Sequence, residues 1–221
     1  MINETTHIHY TFQTTLVRFI ENMMLPSHLT MKAEVEFIEE DNIDFALQKI
    51  EYWLDNFVAK AVVFCANNAT AMDSLLDEQK APRLQNYLMV TPEEPTDDVL
   101  AMIFQSKLQA LANGAMAIGM IEVTSDNSAG LGFTYVGDGE DELPAMDEWI
   151  MGANWFSVPW WCRNDASMID TMAPEGADLS VAPGWAMDLE FLRKGESNAP
   201  EALIIKANFK PKIIDGGTPE E

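Results

Sequence analysis

The sequence predicts an α+β protein with a ferredoxin-like core, in which two strand–helix–strand units give the order βαββαβ. Two segments, at about 43–58 and 96–112, carry apolar residues at helical spacing, and each lies between stretches typical of strands. Apolar residues make up 48% of the 221 positions and charged residues 22%, as in ordinary globular domains. A chain of this length buries enough surface to fold without a disulfide or metal staple.

The first unit follows an N-terminal stretch that fits two structures. Between Phe12 and Met24 the apolar residues show helical spacing, with Pro26 expected to end the helix, whereas the letters HIHYTF equally fit a strand. The stretch MKAEVEFIEED alternates apolar with acidic residues and predicts a strand. The helix at about 43–58 and a short buried strand, AKAVVFCA, complete the unit.

The second unit repeats this pattern. A strand in QNYLMV and the acidic turn TPEEPTDD precede the helix at about 96–112, and AMAIGMIEV predicts the next strand. When the first unit is aligned with the second, Glu39 matches Glu93 and Ile50 matches Phe104, but few residues of the two units are identical. Two interpretations stay open: an internal duplication, or the pattern that any two strand–helix–strand units share.

The remaining chain predicts an added β-hairpin, with the turn SDNSAG before the strand LGFTYVG. An acidic loop over 138–150, an irregular Trp-rich region over 151–184 and two C-terminal strands, GWAMDLEFL and ALIIKANFKPKII, are expected to follow. We therefore divide the chain into 1–137, the α+β core with its two units, and 138–221, the acidic loop, Trp-rich segment and closing strands. Both parts are expected to pack as one unit.

The charge balance restricts the partners. Thirty-six acidic against 13 basic residues give a formal net charge of -23. Because phosphate recognition requires clustered Lys and Arg, nucleic acid and anionic membranes are excluded as expected partners. A cationic protein partner fits this charge, as does a simple solvated acidic surface. A third alternative is an acidic decoy that imitates nucleic acid.

The sequence also predicts a cytoplasmic, soluble protein. Its N-terminal residues lack the basic start and apolar run of a signal peptide, and no apolar run approaches a membrane span. Cys65 and Cys162 lie far apart and form no CxxC pair, which is typical of buried thiols in a reducing compartment. A virus-encoded protein would show the same features.

The stretch GANWFSVPWWCRNDAS, residues 152–167, is the densest aromatic feature of the chain. Three interpretations compete: buried core, subunit interface and ligand platform. Arg163 would favour a reactive thiolate at Cys162 by lowering its pKa. The candidate ligand or interface residues are Trp155, Phe156, Trp160, Trp161, Cys162 and Arg163.

A second candidate is an acidic patch. It does not meet the spacing of an EF-hand calcium loop, so a solvated loop or a surface for a cationic partner is expected. His7 and His9 lie two apart, but with only three histidines and no HExxH we expect no metal site. The patch residues are Asp138, Glu140, Asp141 and Glu142.

No nucleophile elbow, phosphate-binding loop or zinc motif is present in the sequence, which argues against an enzyme. The pattern favours a non-enzymatic, homo-oligomeric interaction or assembly protein without a cofactor. The alternatives are a small-ligand-binding protein or enzyme, with a pocket under the segment 155–162, and the nucleic-acid decoy. In the assembly hypothesis, basic residues in the C-terminal part of the chain contact the acidic loop of a neighbouring subunit, and this contact is sensitive to salt. These are Arg193, Lys194, Lys206, Lys210 and Lys212.

Overall fold

A computed structural model describes six ranges of the chain, namely 7–38, 42–76, 87–128, 131–137, 143 and 158–170. Within them, nine elements build a mixed sheet with three α-helices. The elements are β1 (His7–Ile20), β2 (Met23–Phe37), α1 (Ile43–Asn56), β3 (Val62–Cys65), α2 (Ala69–Leu75), β4 (Leu88–Thr91), α3 (Asp97–Ala112), β5 (Met116–Ser125) and β6 (Phe133–Val136). The α+β class is confirmed.

The six strands lie in the order β4-β3-β1-β2-β5-β6. One half of the sheet is parallel, because β1 pairs with β3 and β3 pairs with β4 in the same direction. The other half is antiparallel, through the pairs β1–β2, β2–β5 and β5–β6. Among the strands that the structure describes, β4 and β6 are therefore the two outermost.

A long hairpin of β1 and β2 forms the centre of the sheet. Its ladder extends from His7 opposite Glu36 to Ile20 opposite Met23. Glu21 and Asn22 close it with φ values of 49° and 62°, the left-handed conformation of tight hairpin turns. The predicted helix between Phe12 and Met24 is therefore wrong. Residues four apart share a face in a strand as they do in a helix, so the spacing alone did not distinguish a helix from a strand here.

The two faces of the sheet are covered differently. Helices α1 and α3 pack on one face, where Leu16, Met31 and Phe104 belong to the main core. On the other face, α2 covers only the parallel half, through a smaller cluster that includes Phe64 and Leu75. Since β3 and β4 are buried on both faces, their sequences are continuously apolar rather than alternating.

The predicted order βαββαβ differs from the structure at two places. The N-terminal stretch adds β1, which lies between β2 and β3, and α2 connects β3 to β4. This crossover makes β3 and β4 parallel, because strands joined through a helix on one face continue in the same direction. The ferredoxin-like core and the internal duplication are not confirmed. Helices α1 and α3, strands β3 to β5 and the hairpin of β5 and β6 were all expected.

The predicted closing strands at 184–192 and 202–214 lie outside the described residues. The acidic loop at 138–150 also lies outside them, apart from the buried Leu143. The division of the chain near 138 therefore stays a prediction.

Candidate functional site

The described part of the Trp-rich region, residues 158–170, lies along β4 at one edge of the sheet. The Trp160 indole Nε1 donates to the carbonyl oxygen of Val90 at 2.8 Å, and the Val90 N–H donates to the Met168 carbonyl at 2.9 Å. The segment therefore uses backbone groups of an outermost strand that would otherwise attract another chain. Because Pro159 precedes a single turn over Trp160–Cys162, the chain turns back sharply at this point.

Both tryptophans of this turn belong to the core. Trp160 and Trp161 are 0% and 1% exposed, and their rings meet edge to face with centroids 5.7 Å apart. They pack against the same core as α3 and the main sheet face. This burial corresponds to the core interpretation of the segment.

A buried lysine joins α3 to this segment. Lys107 is 0% exposed, and its Nζ donates to the carbonyl oxygens of Trp160 at 2.9 Å and Arg163 at 2.8 Å. Asp165 Oδ1 lies 3.5 Å from the same nitrogen. The rings of Trp53 and Trp160 face the amine, with centroids 5.9 and 5.7 Å away.

Arg163 and two carboxylates extend the cluster. The Arg163 Nη1 lies 3.1 Å from Asp170 Oδ1, and its Nε lies 3.7 Å from Asp165 Oδ2. Its Nη2 also donates to the Ser167 hydroxyl at 3.0 Å. Asp165 Oδ1 accepts from the backbone N–H and the hydroxyl of Ser167. With Lys107, the cluster holds two basic and two acidic side chains, all of them buried.

Burial favours the uncharged form of two side chains in this cluster, Lys107 and Asp170. Desolvation lowers the pKa of Lys107 to about 7, although the nearby Asp165 carboxylate favours the ammonium. Desolvation raises the pKa of Asp170 to about 6, although Arg163 favours its carboxylate.

The structure brings together only part of the predicted site. Trp160, Trp161 and Arg163 converge in the core and Cys162 is half-buried beside them, whereas Trp155 and Phe156 lie outside the described residues. The acidic patch, namely Asp138, Glu140, Asp141 and Glu142, also lies outside them. The ligand or interface role of these residues stays a prediction.

Sequence reasoning missed the lysine and both carboxylates of the cluster. A signal was present, because Lys107 occupies the apolar face of α3 one turn from Phe104 and Leu111. A lysine within an apolar stripe indicates either snorkelling to solvent or a buried partner. Asp165 and Asp170 carried no comparable local pattern.

A second feature is an open cavity of about 640 Å³ at the carboxyl ends of β3 and β4. Its lining includes Cys65, the amides of Asn67 and Asn68, and the carboxylates of Glu93 and Glu94. The loops after parallel strands are a frequent place for ligands in α/β sheets.

The thiol at this cavity is held in its neutral form. Cys65 Sγ accepts from the Asn67 N–H at 3.3 Å and donates to the Pro92 carbonyl at 3.5 Å. Burial raises the pKa of the thiol, and the Glu94 and Glu93 carboxylates raise it further. Cys65 therefore lacks the features of an activated nucleophile.

A third feature is a buried ion pair that fixes the start of α3. Arg18 of β1 is 1% exposed, and its Nη1 lies 2.6 Å from Asp97 Oδ1. The same nitrogen donates to the Pro95 carbonyl at 3.1 Å. The Ser125 hydroxyl of β5 lies 2.9 Å from both oxygens of Asp97. Three elements are thus joined at one carboxylate.

The opposite edge of the sheet is apolar and exposed. In and beside β6, the outermost strand on that side, Leu131 is 75%, Phe133 39% and Val136 71% exposed. By contrast, within the described part of the chain the central strands β1 and β2 expose polar side chains such as Gln13 and Lys32. Exposed large apolar side chains on a terminal strand indicate an interaction surface.

Within the described ranges, no three His, Cys, Asp or Glu side chains are placed to hold a metal ion. His28 of β2 is instead within 2.7 Å of the Thr15 hydroxyl, through its Nδ1. No helix among the described residues is long and apolar enough to cross a membrane.

No protein-family model matches the chain, and no curated protein matches it. Among solved structures, the chain is similar to an uncharacterized protein from Wolinella succinogenes. The two share 12% sequence identity at a TM-score of 0.43, over 60% of this chain and 98% of the other. A likeness at this level carries no argument about function.

Proposed function

We propose that the protein is a non-enzymatic assembly protein whose copies associate through the edge of β6. The observation that supports this function is the exposure of Leu131, Phe133 and Val136, in and beside β6, which is the outermost described strand on its side of the sheet. Burying such side chains against a partner contributes about 25 cal/mol per Å² of apolar surface. Strand pairing adds backbone hydrogen bonds that are independent of the partner's side chains.

A second copy of the chain is the partner that this edge fits best. An antiparallel pair of identical edges is self-complementary, so it closes with twofold symmetry and needs no further surface. The net charge of -23 opposes association of two copies, and salt screens that repulsion. We therefore expect added salt to strengthen the dimer.

The sign of the salt effect separates this interface from the electrostatic one. A contact between the acidic loop at 138–150 and the late basic residues would weaken with salt. Association that weakens with added salt would also favour a cationic protein partner or a nucleic-acid decoy over the apolar edge of β6. The two free thiols support the cytoplasmic location that we propose.

Light scattering of the full chain at several concentrations tests this function. We expect a mass of twice 24.7 kDa, and a shift to the monomer in Val136→Lys, which places a charge on the edge. Gln13→Lys adds the same charge to the exposed polar face and is expected to leave the dimer intact. A wild-type monomer at all concentrations, or a Val136→Lys dimer as tight as the wild type, would refute the proposal.

The cavity at the carboxyl ends of β3 and β4 supports a second candidate, a small-ligand-binding protein. Glu93 and Glu94 give the cavity a negative potential, and the Asn67 and Asn68 amides offer hydrogen bonds, so an organic cation is the fitting ligand class. This location differs from the pocket expected under 155–162, of which the structure describes Trp160 and Trp161, both packed in the core. Thermal stabilisation by spermidine that is lost in Glu93→Gln/Glu94→Gln would support this candidate, whereas an unchanged response would oppose it.

A further inference from the structure

The buried cluster places a lysine amine against a carboxyl group in an apolar, aromatic enclosure. We propose that Lys107 and Asp165 form an internal amide cross-link, in which Lys107 Nζ bonds to Asp165 Cγ and one water molecule leaves. Such a bond would tie the middle of α3 to the segment that covers β4. It would be a covalent modification of the chain by its own side chains.

The contacts of the amine suit a nucleophile. A neutral amine has two N–H bonds and one lone pair, whereas an ammonium has three N–H bonds and none. Two backbone carbonyls, at 2.9 and 2.8 Å, account for both N–H bonds of a neutral Lys107. The third close oxygen is Asp165 Oδ1, 3.5 Å away, which accepts from the lysine ammonium, so transfer of that proton to the carboxylate would leave the lone pair of a neutral amine directed at the Asp165 carboxyl group.

Burial favours the product over the reactants. The two side chains are 0% and 8% exposed, and an ammonium and a carboxylate are costly in such a place, whereas an amide is neutral. Burial lowers the pKa of Lys107 to about 7, so the neutral amine is well populated at neutral pH. The rings of Trp53 and Trp160 cover the amine, which keeps out the water that would reverse the reaction.

The reaction is balanced without any co-reactant. The Lys107 ammonium first gives one proton to the Asp165 carboxylate, which leaves a neutral amine and a carboxylic acid. A C–N bond then forms and the carboxyl C–O bond breaks, and the hydroxyl group of the acid takes the second lysine proton and leaves as water. Arg163 Nε lies 3.7 Å from Asp165 Oδ2, where it would stabilise the negative charge that develops on the carboxyl oxygen. Asp170 Oδ1 lies 3.1 Å from Arg163 Nη1, so this carboxyl group would act only by positioning the guanidinium.

The matched variants follow from this chemistry. Lys107→Arg and Asp165→Ala remove the amine and the carboxyl group, so both chains keep their full mass. Asp165→Asn offers an amide in place of the acid, so coupling would release ammonia instead of water. Lys49→Arg changes another buried lysine, on α1, and is expected to leave the cross-link in place.

Intact mass spectrometry of the full chain is the test. After incubation at neutral pH, we expect a mass one water molecule below the sequence mass, and a tryptic product that joins 84–163 to 164–193 through uncleaved Lys107. A succinimide also loses water, but it links no peptides and is cleaved by hydroxylamine. The folded wild type at full sequence mass would overturn the proposal, as would water loss that persists in Lys107→Arg. The wild-type result decides the matter even if a variant fails to fold.

Discussion

The ion pair between Arg18 and Asp97 predicts an asymmetric response to mutation. Removing the acid by Asp97→Asn leaves a guanidinium that is 1% exposed and cannot lose its proton. Its Nε and Nη2 already have no hydrogen-bond partner within the described part of the chain, and its close acceptors there would be neutral, namely the new side-chain amide oxygen at position 97 and the Pro95 carbonyl. Leaving a buried charge without its counter-ion costs about 3–5 kcal/mol of unfolding free energy.

Removing the base by Arg18→Met is expected to cost less. The Asp97 side chain is 10% exposed, and it keeps the Ser125 hydroxyl and the favourable dipole of the first turn of α3. Methionine also fills much of the apolar volume that the Arg18 stem occupied. We therefore expect a loss of about 2 kcal/mol, the range for an unsatisfied group that retains other partners.

Urea unfolding of the two variants measures this difference directly. Asp98→Asn is the matched control, because it removes an acid from the same turn and should cost under about 1 kcal/mol. The reasoning would be refuted if Arg18→Met cost as much as Asp97→Asn. It would also fail if the Asp98→Asn variant lost as much stability as Asp97→Asn.

Three further predictions concern other parts of the molecule. Trp160→Phe removes the indole donor to the Val90 carbonyl of β4 and should lower the unfolding free energy, measured in urea, by about 1–3 kcal/mol. An unchanged unfolding free energy would mean that this hydrogen bond does not hold the segment against β4. Because burial and then Glu94 raise the pKa of Cys65, its alkylation by iodoacetamide at neutral pH should be slow and should accelerate in Glu94→Gln; equal rates would contradict this account. Asp126 accepts from the His28 N–H, which lowers its pKa in the folded state below the ordinary 3.8. Its contribution to stability is therefore present above that value and lost as pH falls through the folded pKa, and Asp126→Asn should flatten the acid limb of the stability profile.

The elements that the sequence predicted correctly are those with a strong local signal. The continuous apolar run VVFC has few alternatives to a buried strand, and α3 shows a full helical stripe. Helix α2 was missed because only Ala71 and Leu75 of its seven residues are buried, too few to form a visible period. The place of β1 between β2 and β3 depends on pairing between distant residues, which no local pattern records.

Of the candidate site, too, only the part with a strong local signal could be predicted from the sequence. The aromatic density of 152–167 marked the segment, and its three interpretations could be weighed from residue type alone. The cluster of Lys107 with Asp165 could not be predicted, because the two residues lie 58 positions apart and meet only after the segment folds over α3. Charge pairs over such separations are a product of topology rather than of spacing.

The covered edge of β4 would limit how far the proposed assembly of this protein could grow. A sheet with two bare edges adds copies at both ends without limit, which is the route to fibres. Here the Val90 backbone is already bonded on its outer side by Met168 and Trp160. In the dimer that we propose, a pair that meets through β6 would therefore present β4 edges at which the described residues already bond Val90, and this would disfavour the addition of further copies there.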